Sequence, residues 1–136
     1  MDAAVARRAA CACGQRVIDC RGEPARVSIC HCRACQRRTG APFGWQVRFP
    51  HEAVAPTGDV AHYRRTADSG RSIDFRFCPA CGSTVWWTMD RDPGRVVVAG
   101  GAFADPTIPP PSVEVYTERQ HAWTAMPALA GIESHP

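Results

Sequence analysis

The sequence lacks any apolar run that approaches the roughly 18 residues of a membrane-spanning helix. Its opening segment, MDAAVARRAA, has two arginines but no apolar stretch after them, so we expect no secretory signal peptide. Internal repeats, heptads and low-complexity segments are absent as well. These absences predict a cytoplasmic protein that does not associate with membranes. The 136 residues fit one globular domain, with a core over about residues 9–125 and a flexible C-terminal tail.

Lysine is also absent, and all sixteen basic residues are arginines, a bias typical of a GC-rich genome. The formal net charge of +3 invites a nucleic-acid interpretation, but it ignores the thiols. If seven cysteines held two zinc ions as thiolates, seven negative and four positive charges would be added to +3, and the net charge would be zero. The charge of such a form argues against nucleic acid as a partner.

Cysteine is abundant by contrast. A secreted chain would use an even number of cysteines for disulfides, whereas a reducing cytoplasm favours metal or redox chemistry. Cysteines one or two residues apart converge on a metal ion, while a disulfide across one residue would be strained. Metal binding is therefore predicted for most of the eight: Cys11, Cys13, Cys20, Cys30, Cys32, Cys35, Cys78 and Cys81.

The remaining pattern is mostly that of β-strands. Residues 71–77 alternate apolar and polar side chains, as a half-buried strand does. Residues 15–20 and 25–30 flank the turn-like segment RGEP and predict a β-hairpin. One short helical turn is predicted at 33–40, and further strands at 83–89, 95–103 (buried on both faces at its start) and 112–117. The predicted fold class is mainly β, a single antiparallel domain with metal motifs in the loops at strand ends.

Two segments, CACG (11–14) and CPACG (78–82), each present two thiols followed by a glycine. Glycine lets backbone N–H groups turn toward the sulfurs, which stabilises clustered negative charge. Together the segments predict a closed tetrahedral zinc site that contributes folding free energy and offers no position to a substrate. Its expected role is structural, and its ligands are Cys11, Cys13, Cys78 and Cys81.

The segment CHCRACQRRTGAPFGW supplies three further thiols, those of Cys30, Cys32 and Cys35, and no second pair completes them. Three protein ligands with one open position are the arrangement of catalytic zinc. Cys20 stands alone in a predicted strand, and we interpret it as a buried apolar cysteine.

His31 lies between two of these thiols and is the only candidate general acid near the motif. Adjacent side chains of an extended segment point in opposite directions, so we expect His31 to face away from the metal. A hydrogen bond behind the ligands and plain packing are the alternatives to ligation.

Arginines and aromatic residues surround the same motif. Arg33, Arg37 and Arg38 either compensate the charge of a zinc–thiolate cluster or clamp the carboxylates of a ligand. Phe43 and Trp45 either wall a pocket or belong to the core, and the core is the commoner place for aromatic residues.

Four segments resemble, in order, the glutathione-dependent formaldehyde-activating enzyme family, also called the GFA or CENP-V/GFA domain: CACG, CHCRACQRRTGAPFGW, FCPACGSTVWW and VVVAGGAFADP. The similarity covers roughly residues 9–125, and HAW at 121–123 resembles the family's C-terminal aromatic position. The resemblance implies a β-tent fold with two zinc sites. By motif position it implies structural ligands at 11, 13, 78 and 81, and catalytic zinc ligands at Cys30, Cys32 and Cys35.

The resemblance also implies a function: a zinc-dependent carbon–sulfur lyase that handles adducts of glutathione, or another thiol, with formaldehyde or a related aldehyde. Two zinc ions per chain are expected, the second more labile because a three-thiolate site with an open position binds weakly or loses its metal on oxidation. One alternative is a protein that binds glutathione or a thiol adduct without catalysis. The other is a zinc-stabilised module that binds protein or nucleic acid. The physiological aldehyde, the thiol and the oligomeric state are left open.

Overall fold

The computed structural model of the protein describes residues 5–126 and 129–136. Within them the chain forms one α-helix, α1 (Arg33–Thr39), and short 3₁₀ turns that include Gly100–Phe103 and Thr117–Arg119. No helix of this part of the chain has the length and apolar character that crossing a membrane requires. The strands are β1 (Ala6–Ala10), β2 (Val17–Arg21), β3 (Arg26–Cys30), β4 (Gly44–Pro50), β5 (Val54–Thr57), β6 (Ala61–Thr66), β7 (Ser72–Phe77), β8 (Thr84–Met89), β9 (Arg95–Ala99), β10 (Val113–Val115) and β11 (Glu133–Ser134).

The strands form two sheets. The smaller sheet has the order β1–β2–β5 and is antiparallel. The larger sheet has the order β11–β10–β3–β4–β9–β8–β7–β6 and is antiparallel from β3 to β6. At its other edge β10 runs parallel to both β3 and β11. The mainly β class is confirmed, and the two parallel pairs correct the expectation of an antiparallel arrangement throughout.

The main hydrophobic cluster joins the smaller sheet to the larger one. Ile18 of β2 and Phe49 of β4 are fully buried in it, together with Val96 and Val98 of β9. Val97 points the other way and packs in a second cluster on the opposite face of the larger sheet. Strand β9 is therefore buried on both faces, as its continuous apolar run predicts.

The predicted hairpin of residues 15–20 and 25–30 is wrong. Strand β2 pairs with β1 and β5, whereas β3 pairs with β4 and β10 in the other sheet. The RGEP segment is a corner between sheets. Turn residues specify that the chain reverses, but the partner of each strand depends on which side chains the two sheets bury between them.

The C-terminal segment differs from the loose tail that the sequence predicts. Its strand β11 pairs with β10, the N–H of His135 donates to the carbonyl of Glu114 at 2.9 Å, and the N–H of Thr117 donates to the carbonyl of His135 at 2.9 Å. Backbone hydrogen bonding of this kind has no side-chain signature in a short polar segment, which explains why the sequence did not predict it.

The parallel pairing of β10 with β3 positions the residues discussed below. Val115, the last residue of β10, lies opposite Cys30, the last residue of β3. Because parallel strands end at the same edge of a sheet, the loops that follow both strands meet there. Helix α1 begins at this edge and ends at Gly40, which has a φ of 68° and donates its N–H to the carbonyl of Gln36, as the predicted stop signal requires.

Candidate metal centres and the adjoining cavity

Four sulfur atoms meet where the loop after β1 approaches the loop after β7; we call them the four-thiol cluster. Cys11 Sγ lies 3.5 Å from Cys13 Sγ, which lies 3.7 Å from Cys78 Sγ. Cys81 Sγ completes the cluster, and the four sulfur atoms all lie within 4.8 Å of one another. Tetrahedral zinc with a zinc–sulfur distance of about 2.3 Å needs sulfurs about 3.8 Å apart. The four side chains therefore fit a closed zinc site.

Backbone N–H groups in both loops point at these sulfurs. The N–H of Arg16 donates to Cys11 Sγ at 3.2 Å, and the N–H of Cys81 donates to Cys78 Sγ at 3.5 Å. Such donors favour the thiolate form, which is the form that binds metal.

Glycine closes the turn in each loop. Gly14 has a φ of +79° and Gly82 a φ of +80°, a region that residues with a Cβ rarely adopt. In the second loop, hydrogen bonding with Ser83 lowers the pKa of Cys81 to about 5. This thiol is thus ready to ionise and hold a metal at neutral pH.

A second group of sulfurs, the three-thiol cluster, is built from one short segment. Cys30 ends β3, Cys32 caps α1 and Cys35 lies in the first turn of that helix, with the three Sγ atoms within 4.8 Å of one another. The N–H of Cys35 donates to Cys32 Sγ at 3.3 Å. Strand β4 passes directly against the cluster at Gly44, where a Cβ would lie 3.2 Å from Cys35 Sγ.

The electrostatics of the three thiols fit a bound cation. Hydrogen bonds from Cys30 and Cys35 lower the pKa of Cys32 to about 2, and hydrogen bonding to Cys32 is the main cause of the raised pKa of Cys30. Three neighbouring thiolates repel one another unless a divalent ion neutralises them. Cys30 and Cys35 are buried, and Cys32 is partly exposed. The cluster therefore fits zinc held by three ligands and accessible from one side.

His31 lies behind this cluster and outside the group of potential metal ligands. It is 1% exposed, and its Nε2 lies 3.0 Å from Glu114 Oε2. Glu114 Oε1 in turn accepts a hydrogen bond from Ser134 Oγ at 2.6 Å. Of the alternatives for His31, this geometry corresponds to a hydrogen bond behind the possible metal ligands and not to metal ligation. His31 does not line the adjoining cavity, and its role as general acid stays a prediction.

A cavity of about 370 Å³ opens beside the three-thiol cluster, and Cys30, Cys32 and Cys35 form part of its wall. Volumes of this order are usual for small-molecule sites. None of the cysteines of the four-thiol cluster lines this cavity, so only the three-thiol cluster is in contact with it. The wall contains seven arginines: Arg33, Arg37, Arg48, Arg65, Arg71, Arg91 and Arg119.

Few carboxylates balance these arginines. Arg48 pairs with Asp92 at 3.2 Å, and Arg119 with Glu118 at 3.8 Å. Within the described part of the chain, the only other acidic residue in the wall is Asp68. Among the residues that the structure describes, five of the seven arginines have no carboxylate within 4.0 Å: Arg33, Arg37, Arg65, Arg71 and Arg91. The cavity is therefore strongly cationic and suits an anionic ligand.

The arginines and aromatic residues near the motif differ in whether they line the cavity or pack elsewhere. Arg33 and Arg37 line the cavity. Arg38 does not, and its guanidinium instead stacks over the ring of Trp87 at 4.4 Å. Phe43 packs edge-on against His31, with ring centroids 5.9 Å apart, and Trp45 packs against the main core.

Cys20 is fully buried in β2 and belongs to neither cluster. Burial raises the pKa of its thiol to about 12. This placement agrees with the interpretation of Cys20 as an apolar core residue.

Tyr116 is a candidate that sequence reasoning missed. It directly follows β10, lines the same cavity and has a φ of 57°, a costly conformation for a bulky residue that is enriched at functional sites. Burial raises the pKa of its phenol, and the electrostatic effects of Cys30 and Asp68 add to that rise. The group therefore stays protonated as an O–H donor beside the cluster. No local sequence motif marks it.

A model of the family described as glutathione-dependent formaldehyde-activating enzyme matches residues 6–119. The chain belongs to this family. The matched region contains both cysteine clusters and every lining residue of the cavity, including Tyr116. The family activity is glutathione-dependent formaldehyde activation, which makes glutathione the small-molecule partner of the family. No protein with a curated description matches the sequence significantly.

The fold of this family member is also found in a crystal structure of a Rhodobacter sphaeroides protein determined by structural genomics. The two structures share a TM-score of 0.57 and 15% sequence identity, over 95% of this chain and 99% of that chain. At this identity the similarity concerns the fold alone.

Proposed function

We propose that the protein is a zinc-dependent enzyme of the carbon–sulfur lyase type, acting in the cytoplasm. It forms or cleaves the adduct of glutathione, or another thiol, with formaldehyde or a related aldehyde. One observation carries the proposal: the three-thiol cluster forms part of the wall of the arginine-lined cavity. Such a cavity offers an anionic thiol both a place to bind and a metal-binding group at which to react.

Two zinc ions per chain are part of this proposal. The four-thiol cluster holds one as a structural ion, because four sulfurs leave no position for a substrate. Cys30, Cys32 and Cys35 hold the other. When bound there, zinc lowers the pKa of a thiol and polarises a carbonyl oxygen.

The residues of the cavity then have separate roles. Arg33 and Arg37 bind carboxylates of glutathione, since a guanidinium binds a carboxylate through two parallel hydrogen bonds. The glutathione sulfur attacks the carbonyl carbon, a carbon–sulfur bond forms, and the π electrons of the carbonyl move to its oxygen. The Tyr116 hydroxyl donates a proton to that oxygen and is reprotonated by the proton that the glutathione thiol releases, and the reverse reaction runs these transfers backwards.

The test is the rate of adduct formation above the spontaneous reaction, measured by exchange NMR with zinc-loaded protein. Replacement of Cys32 by serine should reduce the catalysed rate to background, because it removes the most exposed ligand of the three-thiol cluster. Cys20→Ser is the matched control: it also removes a thiol, but one outside both clusters.

Full activity in Cys32→Ser would exclude the catalytic zinc. Saturable glutathione binding without any rate above background in the wild type would show a carrier protein, the alternative to an enzyme. A similar loss of activity in Cys20→Ser would show that damage to the fold, not loss of the metal ligand, explains the result.

A further inference from the structure

We infer that the carbonyl substrate of this site is itself an acid: an oxo acid such as glyoxylate, whose carboxylate is attached to the reacting carbonyl carbon and binds Arg65. This inference rests on the proposed function and specifies its second substrate. It concerns the positive charge in the cavity that glutathione leaves without a partner.

The charge of the wall exceeds what glutathione can neutralise. Five arginines without a carboxylate partner face one unpaired carboxylate, that of Asp68, which leaves an excess of four positive charges. Zinc with three thiolates has a charge of −1. Glutathione bound as its thiolate has two carboxylates, one ammonium and one sulfur anion, and brings −2. One positive charge remains, which a single further carboxylate would balance.

The position of Arg65 indicates where that carboxylate lies. The residue is in β6, lines the cavity with the three cysteines, and stacks its guanidinium over Phe75 at 5.8 Å. Its positive charge therefore lies in the wall of the same cavity as the three sulfurs, where the proposed reaction takes place.

The carboxylates of glutathione are poorly placed to satisfy this arginine. Both lie at the ends of the tripeptide, several bonds from the sulfur, whereas the sulfur must reach the three-thiol cluster. Arg65 is also partly buried, and a partly buried charge without a partner is costly. A carboxylate directly on the carbonyl carbon would lie within a few ångströms of the reacting sulfur. It would pair with the charge of Arg65.

The reaction is balanced without a further reagent. The glutathione sulfur attacks the aldehyde carbon of the oxo acid and the carbon–sulfur bond forms. The carbonyl π bond breaks, its electron pair moves to the oxygen, and that oxygen takes one proton, which balances the proton that the thiol lost when its S–H bond broke. The product is a hydroxy thioether with its carboxylate retained, and no atom is oxidised or reduced.

Two stable thioethers test this inference by isothermal titration calorimetry on the zinc-loaded protein. S-(carboxymethyl)glutathione has the additional carboxylate, whereas S-methylglutathione lacks it. We expect the carboxymethyl compound to bind about tenfold more tightly, since a charge-assisted hydrogen bond is among the stronger polar contacts. In Arg65→Gln that preference should fall to about twofold or less, while the affinity for S-methylglutathione stays nearly unchanged.

Arg21→Gln is the matched control, because it removes one positive charge from an exposed residue outside the cavity. It should keep the preference of the wild type. Equal affinity of both thioethers for the wild type would overturn the inference and leave the proposed function intact. Loss of the preference in Arg21→Gln would overturn the role of Arg65, since the effect would then follow the overall charge. Absence of binding by both thioethers and by glutathione would overturn the proposed function as well.

Discussion

The four-thiol and three-thiol clusters both consist of cysteine sulfurs, but they differ in how the chain builds them and in what surrounds them. The four-thiol cluster joins two loops that are far apart in the sequence, and two of its cysteines, Cys13 and Cys81, are exposed. The three-thiol cluster comes from six consecutive residues and is mostly buried, yet it forms part of a cavity wall. One cluster connects distant segments of the chain, and the other presents metal-binding groups to a ligand.

This difference shows that ligand identity alone does not separate a structural from a reactive site. The number of ligands decides whether a coordination position is open. The surroundings decide whether anything reaches it, and only the three-thiol cluster lies beside the arginine-lined cavity. The following experiments test the contrast between the two clusters, beginning with the largest expected effect.

Replacement of Cys78 by serine should destabilise the whole domain. Cys78 is fully buried in the main core and belongs to the four-thiol cluster, so its loss weakens a zinc site that contributes to folding. We expect the melting temperature to fall by at least about 10 °C, measured by circular dichroism. Cys32→Ser should shift it by less than half as much, and equal shifts would contradict a division into structural and reactive sites.

Chelation should remove the two zinc ions in separate phases. The three-thiol cluster should lose its metal first, because it has one ligand fewer and an adjoining cavity through which a chelator can approach. A colorimetric zinc indicator follows the release, and far-ultraviolet circular dichroism follows the fold. The first phase should abolish activity and leave the spectrum unchanged, whereas simultaneous release of both ions would argue against this order.

Replacement of Tyr116 by phenylalanine should lower the catalysed rate by about a hundredfold, the usual contribution of a positioned proton donor. The ring is retained, so the affinity for glutathione should change by no more than about twofold. Rate measurements and calorimetry together separate the two effects. Tyr63→Phe is the control, because Tyr63 is exposed and lies outside this cavity. An unchanged rate in Tyr116→Phe would remove Tyr116 from the mechanism.

Cys20 should react more slowly with iodoacetamide than Cys81 does in metal-free protein at pH 8. Its pKa is raised to about 12, so almost none of it is thiolate at that pH, and it is 1% exposed. Peptide mass spectrometry after timed quenching gives the order of reaction. Early labelling of Cys20, before Cys81 with its pKa of about 5, would show that removal of metal opens the main core.

Much of the fold was accessible from the sequence where the signal is local. The alternation in residues 71–77 predicts β7, and the apolar run that begins at residue 95 predicts β9. The partnership of β2 and β3 was predicted wrongly, because each strand finds its partner in a different sheet. The pairing of β11 with β10 was not predicted, since two polar residues that pair through their backbone have no periodic pattern.

In the candidate site, too, local features could be predicted from the sequence, whereas features that depend on the tertiary structure could not. Short spacing of cysteines along the chain is local information, and it was enough to separate the seven clustered thiols into two groups. The sequence by itself determined this grouping of the thiols and the expectation that three of them leave a coordination position open. Only the tertiary structure decided what surrounds them. Tyr116 and the arginines at 65, 71 and 91 come from strand ends and turns that are distant in the sequence, yet they line one cavity with the three-thiol cluster. Tyr116 reaches that cavity because β10 pairs in parallel with β3 and both strands end at the same edge of the sheet.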